Sequence, residues 1–556
     1  MKMTKKKLVA ILLCCVMLFA VYACGNDKNA QDTGTSQPAA QPSGGGGSSS
    51  APAPASGGSS AAPGGGAQDS PGQASSGRDT LIIGVADDTG SLDPPAMSGS
   101  GGFLALATAY TEPLLNHDVN MNPIWLLATG IDEVTPTQWT VHVREGVTFS
   151  NGNPLTAEDV LFTLLLYRDT PQRALNVQSL DLDNSKVIDD HTLDLRLTSY
   201  NVAQMTMLSA VLIVNKASYD PVDFSLNPVG TGPYVVTDYV VNSHVYMTAR
   251  DDYWGNTPAI KNLTFKVLTE DSQKTIAIET GTVDYIQVPS QDISYVEGLS
   301  GYNVELIRIG QAIQVLFSVD PDSPFADVEA RYAVCHAVDR DAIINLVYNG
   351  YATVTNYPVT MAALDFEPRL ENLHDTYSVG YNVDLAKQYA ERSGLVNKDV
   401  RIMTNGAPAY VAMAEILQAN LKNIRVNAII DNRDQATLRS VYRSDASAFD
   451  ICLYFTSAPT LLAADILNAN VRFSTILMEG HWPGFERFAE LSGGVLSNPD
   501  PKVRSDMFYE MVQIFDNAAL WYGVCDVKAA YAYSSDLRGV VFNPLGSVRY
   551  QDWSFG

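Results

Sequence analysis

The chain has 556 residues and a formal net charge of −25 at pH 7, from 61 acidic and 36 basic side chains. Such an acidic excess argues against a nucleic-acid partner and against attachment to anionic lipid by charge alone. Six cysteines without a CxxC pair exclude a disulfide framework and a zinc ribbon. Cys335, Cys452 and Cys525, far from the N-terminus, are predicted to fill buried apolar positions, with room for at most one disulfide.

The N-terminal segment, residues 1–23, has the pattern of an export signal. Four lysines among the first seven residues precede an apolar stretch from Leu8 to Val21, which is shorter than the ~20 residues that a helix needs to cross a bilayer. Residues 21–24, VYAC, resemble a bacterial lipobox, and this resemblance implies that Cys24 is lipidated and becomes the mature N-terminus. The alternative is an ordinary signal peptide, in which Cys24 is incidental.

Residues 24–78 are predicted to be the lipidated cysteine and a disordered tether. The stretch 26–78 is dominated by Gly, Ser, Ala and Pro and has no aromatic residue. Such a segment cannot bury enough apolar surface to offset its chain entropy. As a flexible coil of ~53 residues it would span roughly 40 Å. The sequence therefore predicts a folded body held by a lipid anchor at the outer face of the cytoplasmic membrane, at the cell surface or in a periplasm.

The remaining chain, from residue 79, is too long for one hydrophobic core, so two or three lobes are expected. Residues 78–94 have the pattern of an opening strand and a polar turn. Residues 137–152 alternate apolar and polar side chains and end in SNG, which is typical of a hairpin. In the next segment, Thr156 and Asp159 have nearly the spacing of a capping box at the start of a buried helix.

Farther along the chain, strand and helix patterns continue to mix. Residues 234–255 resemble two antiparallel strands, and residues 502–525 resemble a helix running into a strand. Helical spacing of apolar residues recurs in the segments 329–350, 384–394 and 411–430. Hairpins and helix–strand units in one chain predict an α/β body.

Motifs of common catalytic chemistry are absent from the sequence. The seven histidines are scattered without an HExxH pair, and there is no GxSxG elbow and no Walker A motif. Residues 229–234, VGTGPY, contain Gly-x-Gly, but Pro233 and Tyr234 replace the helix start that a dinucleotide site needs. The sequence therefore predicts a protein that is not an enzyme, with no metal and no cofactor, although a secreted hydrolase remains a remote alternative.

The order of several motifs over residues 79–550 resembles family 5 of the extracellular solute-binding proteins, the peptide- and nickel-type receptors of ABC importers. Each motif alone is weak, but their order along the chain is specific. The motifs are GSLDP (90–94), YTEPLL (110–115), WTVHVREGVTFSNGNPLTAEDVLFTL (139–164), NPVGTGPYVV (227–236), ARDDYWG (249–255), ETGTVDY (279–285), SPFADVEARYAVCHAVDRDAIINLVYNGYA (323–352) and YNVDLAKQYAERSG (381–394).

This resemblance implies a two-lobe periplasmic-binding-protein-like fold (type II, cluster C) with an extra domain inserted in lobe I. Mapped onto this chain, lobe I takes residues 79–115, 225–308 and 526–556, the inserted domain 116–224, and lobe II 309–525. Two strands cross between the lobes, which close over a solute without making or breaking a bond. The implied protein is a monomer that delivers its solute to ABC permease subunits. A ligand sensor for a signalling system, with the same fold, is the alternative.

The family resemblance also bears on the ligand. In peptide-binding members, a lobe II segment after FD carries an Arg, a Trp and an Asp that anchors the peptide's α-ammonium. In this chain Leu453, Thr456 and Pro459 stand at those positions. A buried ammonium without a carboxylate costs several kcal/mol, so an ordinary peptide with a free N-terminus is not expected. That expectation stays open, because an insertion or deletion could shift the alignment of this segment, and Asp465 could then take the place of the anchoring Asp.

Seven residues are predicted to line the cleft and contact the solute. All but one are uncharged, which suits a polar, partly apolar solute such as an oligosaccharide, a modified or blocked peptide, or a small amide. Ordinary packing is the alternative for each of them. The seven are Asp88, Gln287, Tyr454, Thr456, Ser457, Trp521 and Tyr522.

Overall fold

The computed structural model describes residues 77–98, 103–372, 380–457, 460–472, 474–543 and 545–556. The predicted signal peptide, the lipidation site Cys24 and nearly all of the predicted tether lie outside these residues, as does Pro459. Within the described ranges, no helix has the length and apolar character needed to cross a membrane.

Strands and helices are mixed along the described ranges. The strands are β1 (Thr80–Val85), β2 (Leu115–His117), β3 (Pro123–Trp125), β4 (Ala128–Thr135), β5 (Gln138–Val143), β6 (Lys186–Asp189), β7 (Thr192–Arg196), β8 (Tyr234–Val240), β9 (His244–Ala249), β10 (Asn262–Val267), β11 (Tyr285–Val288), β12 (Tyr302–Phe317), β13 (Thr353–Val354), β14 (Asp399–Thr404), β15 (Asn427–Asn432), β16 (Ile451–Thr456), β17 (Trp521–Ser534), β18 (Leu537–Arg538) and β19 (Ser554–Phe555). The helices are α1 (Phe103–Ala107), α2 (Ala157–Asp169), α3 (Gln204–Leu208), α4 (Pro221–Phe224), α5 (Asp271–Glu279), α6 (Ile293–Glu297), α7 (Val328–Ala337), α8 (Arg340–Val347), α9 (Val383–Arg392), α10 (Pro408–Asn423), α11 (Gln435–Ser444), α12 (Ala463–Arg472), α13 (Thr475–Met478), α14 (Phe485–Gly494) and α15 (Pro501–Asn517).

One mixed sheet runs through the described residues in the order β15-β14-β16-β12-β17-β11-β1-β10-β9-β8, with β13 beside β17. At one end, which we call the β1 half, β1 lies parallel to both β10 and β11, and β8 and β9 add an antiparallel hairpin. Both faces of this half are covered by apolar clusters, because the buried positions of its strands supply side chains to both sides.

The other end, which we call the β14 half, is also covered on both faces. β14 lies parallel to β15 and β16. One face packs against a cluster that includes side chains of α7, α8, α9 and α10, and the other against a cluster that includes side chains of α11, α12, α14 and α15. The three cysteines Cys335, Cys452 and Cys525 are free and buried in this half, as predicted for their packing.

The two halves are joined by the long strands β12 and β17. Their antiparallel pairing runs from Tyr302 opposite Ser534 to Leu316 opposite Trp521, and it is interrupted after Arg308. At the interruption Gly310 has a φ of +66°, a backbone conformation that glycine adopts without steric cost. β12 therefore contains a short irregular stretch, residues 309–311, between two parts that pair with β17.

A separate four-stranded antiparallel sheet, β4-β5-β7-β6, forms between β3 and β8 in the sequence and has its own core with α2. The capping box predicted for α2 is present, since the Thr156 backbone N–H and hydroxyl both donate to the Asp159 carboxylate at 2.9 Å. The predicted turn at SNG is also present, closed by a short bridge between Thr148 and Pro154. The domain boundaries given above stay a prediction.

Candidate functional site

A cavity of about 330 Å³ lies at the carboxyl ends of β1 and β11. Its lining includes residues 83–87 at the end of β1, residues 307–309 and 311 of β12, and residues from the C-terminal segment 542–550. β1 and β11 are parallel, and the crevice beyond the carboxyl ends of parallel strands is where α/β sheets commonly bind ligands. The volume is at the small end of the range for ligand pockets, so the cavity suits a small solute.

Three stacked rings form one side of this cavity, which we call the aromatic wall: Tyr285, Tyr531 and Phe542. The three ring centroids form a triangle: Tyr531 is 5.8 Å from Tyr285 and 4.8 Å from Phe542, and Tyr285 is 6.4 Å from Phe542, with 25° to 27° between the ring planes. All three side chains are only partly buried. A flat apolar surface that is only partly covered can pack against an apolar or aromatic group of a solute.

Three charged residues lie on the cavity lining: Asp87, Lys274 and Arg308. Lys274 is ion-paired at 2.8 Å with Asp271 on the same turn of α5. Arg308 is exposed and has no ion pair among the residues that the structure describes. The groups on the lining that can form uncharged hydrogen bonds include those of Thr89, Ser98, Gln287, Gln311, Asn543 and Ser547.

Asp88 lies beside the cavity and is absent from its lining, whereas Asp87 and Thr89 line it. Its carboxylate accepts hydrogen bonds from the Tyr239 hydroxyl at 2.6 Å, from the Gly90 backbone N–H at 2.6 Å, and from the backbone N–H of Asn242. These bonds hold the loop after β1 against the β8–β9 hairpin. Contact between Asp88 and a solute stays a prediction.

Gln287 is the one residue of the predicted seven that lines this cavity. It is exposed on β11 and lies opposite Tyr531 of β17, next to the aromatic wall. Its amide is therefore placed to donate or accept a hydrogen bond at the cavity.

The three predicted residues around the end of β16 are packed inside the β14 half. The Thr456 hydroxyl is buried and donates to the Pro358 carbonyl at 3.0 Å. The Tyr454 ring is buried and stacks on Tyr442 with centroids 5.7 Å apart. Ser457 is partly buried, and its carbonyl accepts a hydrogen bond from Asn470. None of the three is on the lining of the cavity described above, and their contact with a solute stays a prediction.

The two predicted aromatic residues at the start of β17 are likewise buried, with 3% of Trp521 and 1% of Tyr522 exposed. The Trp521 ring meets the edge of Phe515 at 4.7 Å, and the Arg340 guanidinium lies 4.9 Å from the centre of the Tyr522 ring. Both side chains have structural partners in this conformation. Sequence patterns alone could not distinguish this packing from an open aromatic surface.

Arg308 and the C-terminal segment 542–550 are parts of the cavity that the sequence analysis did not identify. Arg308 lies in a strand with mixed polar and apolar positions, and an arginine in such a strand does not by itself indicate a binding site. Segment 542–550 is distant in sequence from β1 and reaches the cavity only because β17 returns the chain to the β1 half. In the described ranges, no group of three or more His, Cys, Asp or Glu side chains is placed to hold a metal ion.

Comparison with known proteins places this arrangement among solute-binding proteins. A sequence model of the bacterial extracellular solute-binding proteins, family 5 (middle), matches residues 122–470. A Brucella ovis protein named as an ABC transporter peptide-binding protein is 25% identical to this chain over 488 residues. The match covers 83% of this chain and 89% of the Brucella protein. The nickel-binding periplasmic protein of Escherichia coli is 24% identical over 368 residues, covering 59% of this chain and 66% of its own.

Solved structures share the fold over most of the chain. The ABC transporter substrate-binding protein CtaP from Listeria monocytogenes has a TM-score of 0.75 at 21% identity, covering 86% of this chain and 99% of its own. The periplasmic binding protein DppA from Helicobacter pylori, in complex with the peptide STSA, has a TM-score of 0.70 at 18% identity, covering 86% and 98%. These matches confirm the predicted two-lobe, periplasmic-binding-protein-like α/β fold.

Proposed function

Because this chain belongs to family 5 of the bacterial extracellular solute-binding proteins, we propose that it is the receptor of an ABC importer and captures a small, peptide-like solute between two closing lobes. The supporting observation is the position of the cavity. It lies where the β1 half meets the irregular stretch of β12, so a bound solute would touch the point at which the two halves join. Lobe I corresponds to residues 79–115, 225–308 and 526–556, the inserted domain to 116–224, and lobe II to 309–525.

The proposed mechanism is a shift between an open and a closed arrangement of the lobes. A ligand changes such an equilibrium only by the difference in its affinity for the two states. Contacts with the β1 half alone would bind solute without closing the lobes, whereas additional contacts with the β14 half favour closure. The protein acts by binding and release, and the permease takes the solute from the closed form.

The proposed location is the outer face of the cytoplasmic membrane, where a lipid on Cys24 and the Gly/Ser-rich tether hold the receptor near its permease. One acyl chain gives only marginal membrane binding, so stable anchoring needs more than one chain. We propose a peptide-like solute. One relative is named as a peptide-binding protein, and one solved structure holds a peptide. An oligosaccharide is not favoured over a peptide by any contact in the cavity.

A cavity-filling variant tests whether the solute occupies this cavity. We expect protein purified from its native host to carry a small molecule, seen as an added mass by native mass spectrometry, and to lose thermal stability when that molecule is removed. Ligand at ~100 times its Kd stabilises the folded state by about 2.7 kcal/mol. Gln287→Trp should abolish both the added mass and the stabilisation, because the indole would occupy the cavity.

Gln273→Trp is the matched control. Gln273 is exposed on α5 and lies outside the cavity lining, so the same substitution there should leave binding unchanged. Equal retention of the small molecule by the wild type and Gln287→Trp would place the binding site elsewhere.

A further inference from the structure

Arg308 has an unpaired guanidinium within the part of the chain that the structure describes. Arg308 forms no hydrogen bond and no ion pair with the residues that the structure describes. It lies at the last paired position of β12 before the irregular stretch, opposite Lys528 of β17, and its side chain is exposed on the cavity lining. In a chain with a net charge of −25, a cation without a partner is an unusual feature of a cavity wall.

Asp526 interacts electrostatically with Arg308 but does not form an ion pair with it. Asp526 is 2% exposed, and its carboxylate accepts a hydrogen bond from the Met361 backbone N–H at 3.0 Å. Burial raises the pKa of Asp526. Hydrogen bonds from the Met361 backbone and the Thr360 side chain oppose that shift, and the positive charge of Arg308 opposes it without a hydrogen bond. The pair makes no direct contact within 4.0 Å. The guanidinium therefore keeps its donors available at the cavity.

The rest of the lining is largely apolar and aromatic. The aromatic wall is joined by Ile83, Val85, Ile307 and Ile309, all of which line the same cavity. Ile307 and Ile309 flank Arg308 directly in β12. The cavity thus combines one available guanidinium with an adjoining apolar surface, within about 330 Å³.

We propose that the solute is amphipathic, with a carboxylate that pairs with Arg308 and an aromatic or branched aliphatic group that packs on the aromatic wall. This inference rests on the function proposed above and narrows its substrate class. Arginine is suited to the role because its planar, always-charged fork can donate two parallel hydrogen bonds to one carboxylate. The solute would then be held by its carboxyl end.

Anchoring by the carboxyl end fits the composition of the lobe II segment. Leu453 and Thr456 occupy two positions where peptide-binding relatives are expected to carry an arginine and a tryptophan, and both are buried. The remaining charges on the lining are Asp87 and Lys274. Asp87 would repel a carboxylate placed beside it and would attract an ammonium. The charge of the solute's amino end must therefore be varied independently of the charge of its carboxyl end.

The test uses the tripeptide Ala-Phe-Ala in four forms, with the amino end free or acetylated and the carboxyl end free or amidated. Binding to the full-length protein, freed of its small molecule, is measured by calorimetry. We expect the carboxylate forms to bind more tightly than the amides by about tenfold to a hundredfold, the range for a hydrogen bond to a charged group. Arg308→Gln should remove that difference, whether or not the amino end is acetylated.

Lys528→Gln is the matched control, because it removes the same charge from the neighbouring position of β17 but lies outside the cavity lining. It should preserve the preference for the carboxylate. A matched Ala-Ser-Ala set should bind about tenfold more weakly than Ala-Phe-Ala, since the wall would lose its apolar partner.

Four results would overturn the inference: equal binding of carboxylate and amide, the same loss in Arg308→Gln and Lys528→Gln, equal binding of Ala-Ser-Ala and Ala-Phe-Ala, or no binding of any peptide while the small-molecule extract from the native host still binds. The last result would leave the receptor function intact. Failure of both the peptides and the extract would contradict the proposed function as well.

Discussion

Replacing Gly232 by alanine is expected to lower the free energy of unfolding by about 3 kcal/mol, the upper end of the usual cost of overpacking. A Cβ at this position would lie 2.5 Å from the carbonyl carbon of Tyr110 and 2.8 Å from the carbonyl oxygen of Ala109. Both obstacles are backbone atoms, which cannot move aside as a flexible side chain can. Gly232 also donates its N–H to the Tyr110 carbonyl at 3.0 Å, so a shift to relieve the overlap would lengthen this bond.

Urea unfolding followed by tryptophan fluorescence measures this effect. Gly493→Ala is the control, because nothing lies within 4 Å of a Cβ at Gly493 in α14 and alanine favours a helix over glycine by up to ~1 kcal/mol. The control should be as stable as the wild type or more stable. Similar unfolding midpoints for Gly232→Ala and Gly493→Ala would show that the VGTGPY segment is not held against residues 109–111 as described.

Replacing Asp516 by asparagine is expected to stabilise the protein by a few kcal/mol at pH 8. Asp516 is 5% exposed near the end of α15, and its carboxyl group has no hydrogen-bond or ion-pair partner among the residues that the structure describes. Burial raises its pKa from 3.8 to about 8. The folded state therefore retains a proton that the unfolded state releases between these two values, and stability from this site falls as pH rises from about 4 to about 8.

The measurement is the free energy of unfolding of the wild type and Asp516→Asn at several pH values from 4 to 9. The advantage of the variant should grow across this range and level off above the folded-state pKa, because asparagine does not ionise. Asp384→Asn, with its side chain 90% exposed, is the control and should follow the wild-type pH profile. Parallel profiles for Asp516→Asn and the wild type would mean that Asp516 is not a buried, neutral carboxylic acid.

Local elements of the fold were predictable where short-range chemistry determines them. The Thr156–Asp159 capping box and the turn at SNG each depend on a few adjacent residues, and the structure shows both. The two-lobe fold was predictable for a different reason, since the ordered motifs resemble one family. The irregular stretch at Gly310 was not predicted, because a single glycine in a long strand has several possible roles.

The candidate site was less predictable than the fold. Gln287 lines the cavity, whereas Trp521, Tyr522 and Thr456 are buried among structural partners. Burial of an aromatic side chain depends on which helix packs over it, and α15 covers Trp521 through Phe515. Arg308 could not be selected from the sequence. It stands out because its guanidinium has no partner in the described structure, and whether a partner is present depends on how the neighbouring strands pack.

The central claim is that two lobes close over a solute, and the distance between them tests it most directly. Cysteines introduced at the exposed positions Ser272 on α5 and Ser440 on α11 would carry a pair of fluorophores, while the buried native cysteines remain unlabelled. Energy transfer is measured before and after adding the small-molecule extract released from protein of the native host. We predict a shift to a shorter mean distance, lost in Gln287→Trp. An unchanged distance at saturating extract would contradict closure of the lobes.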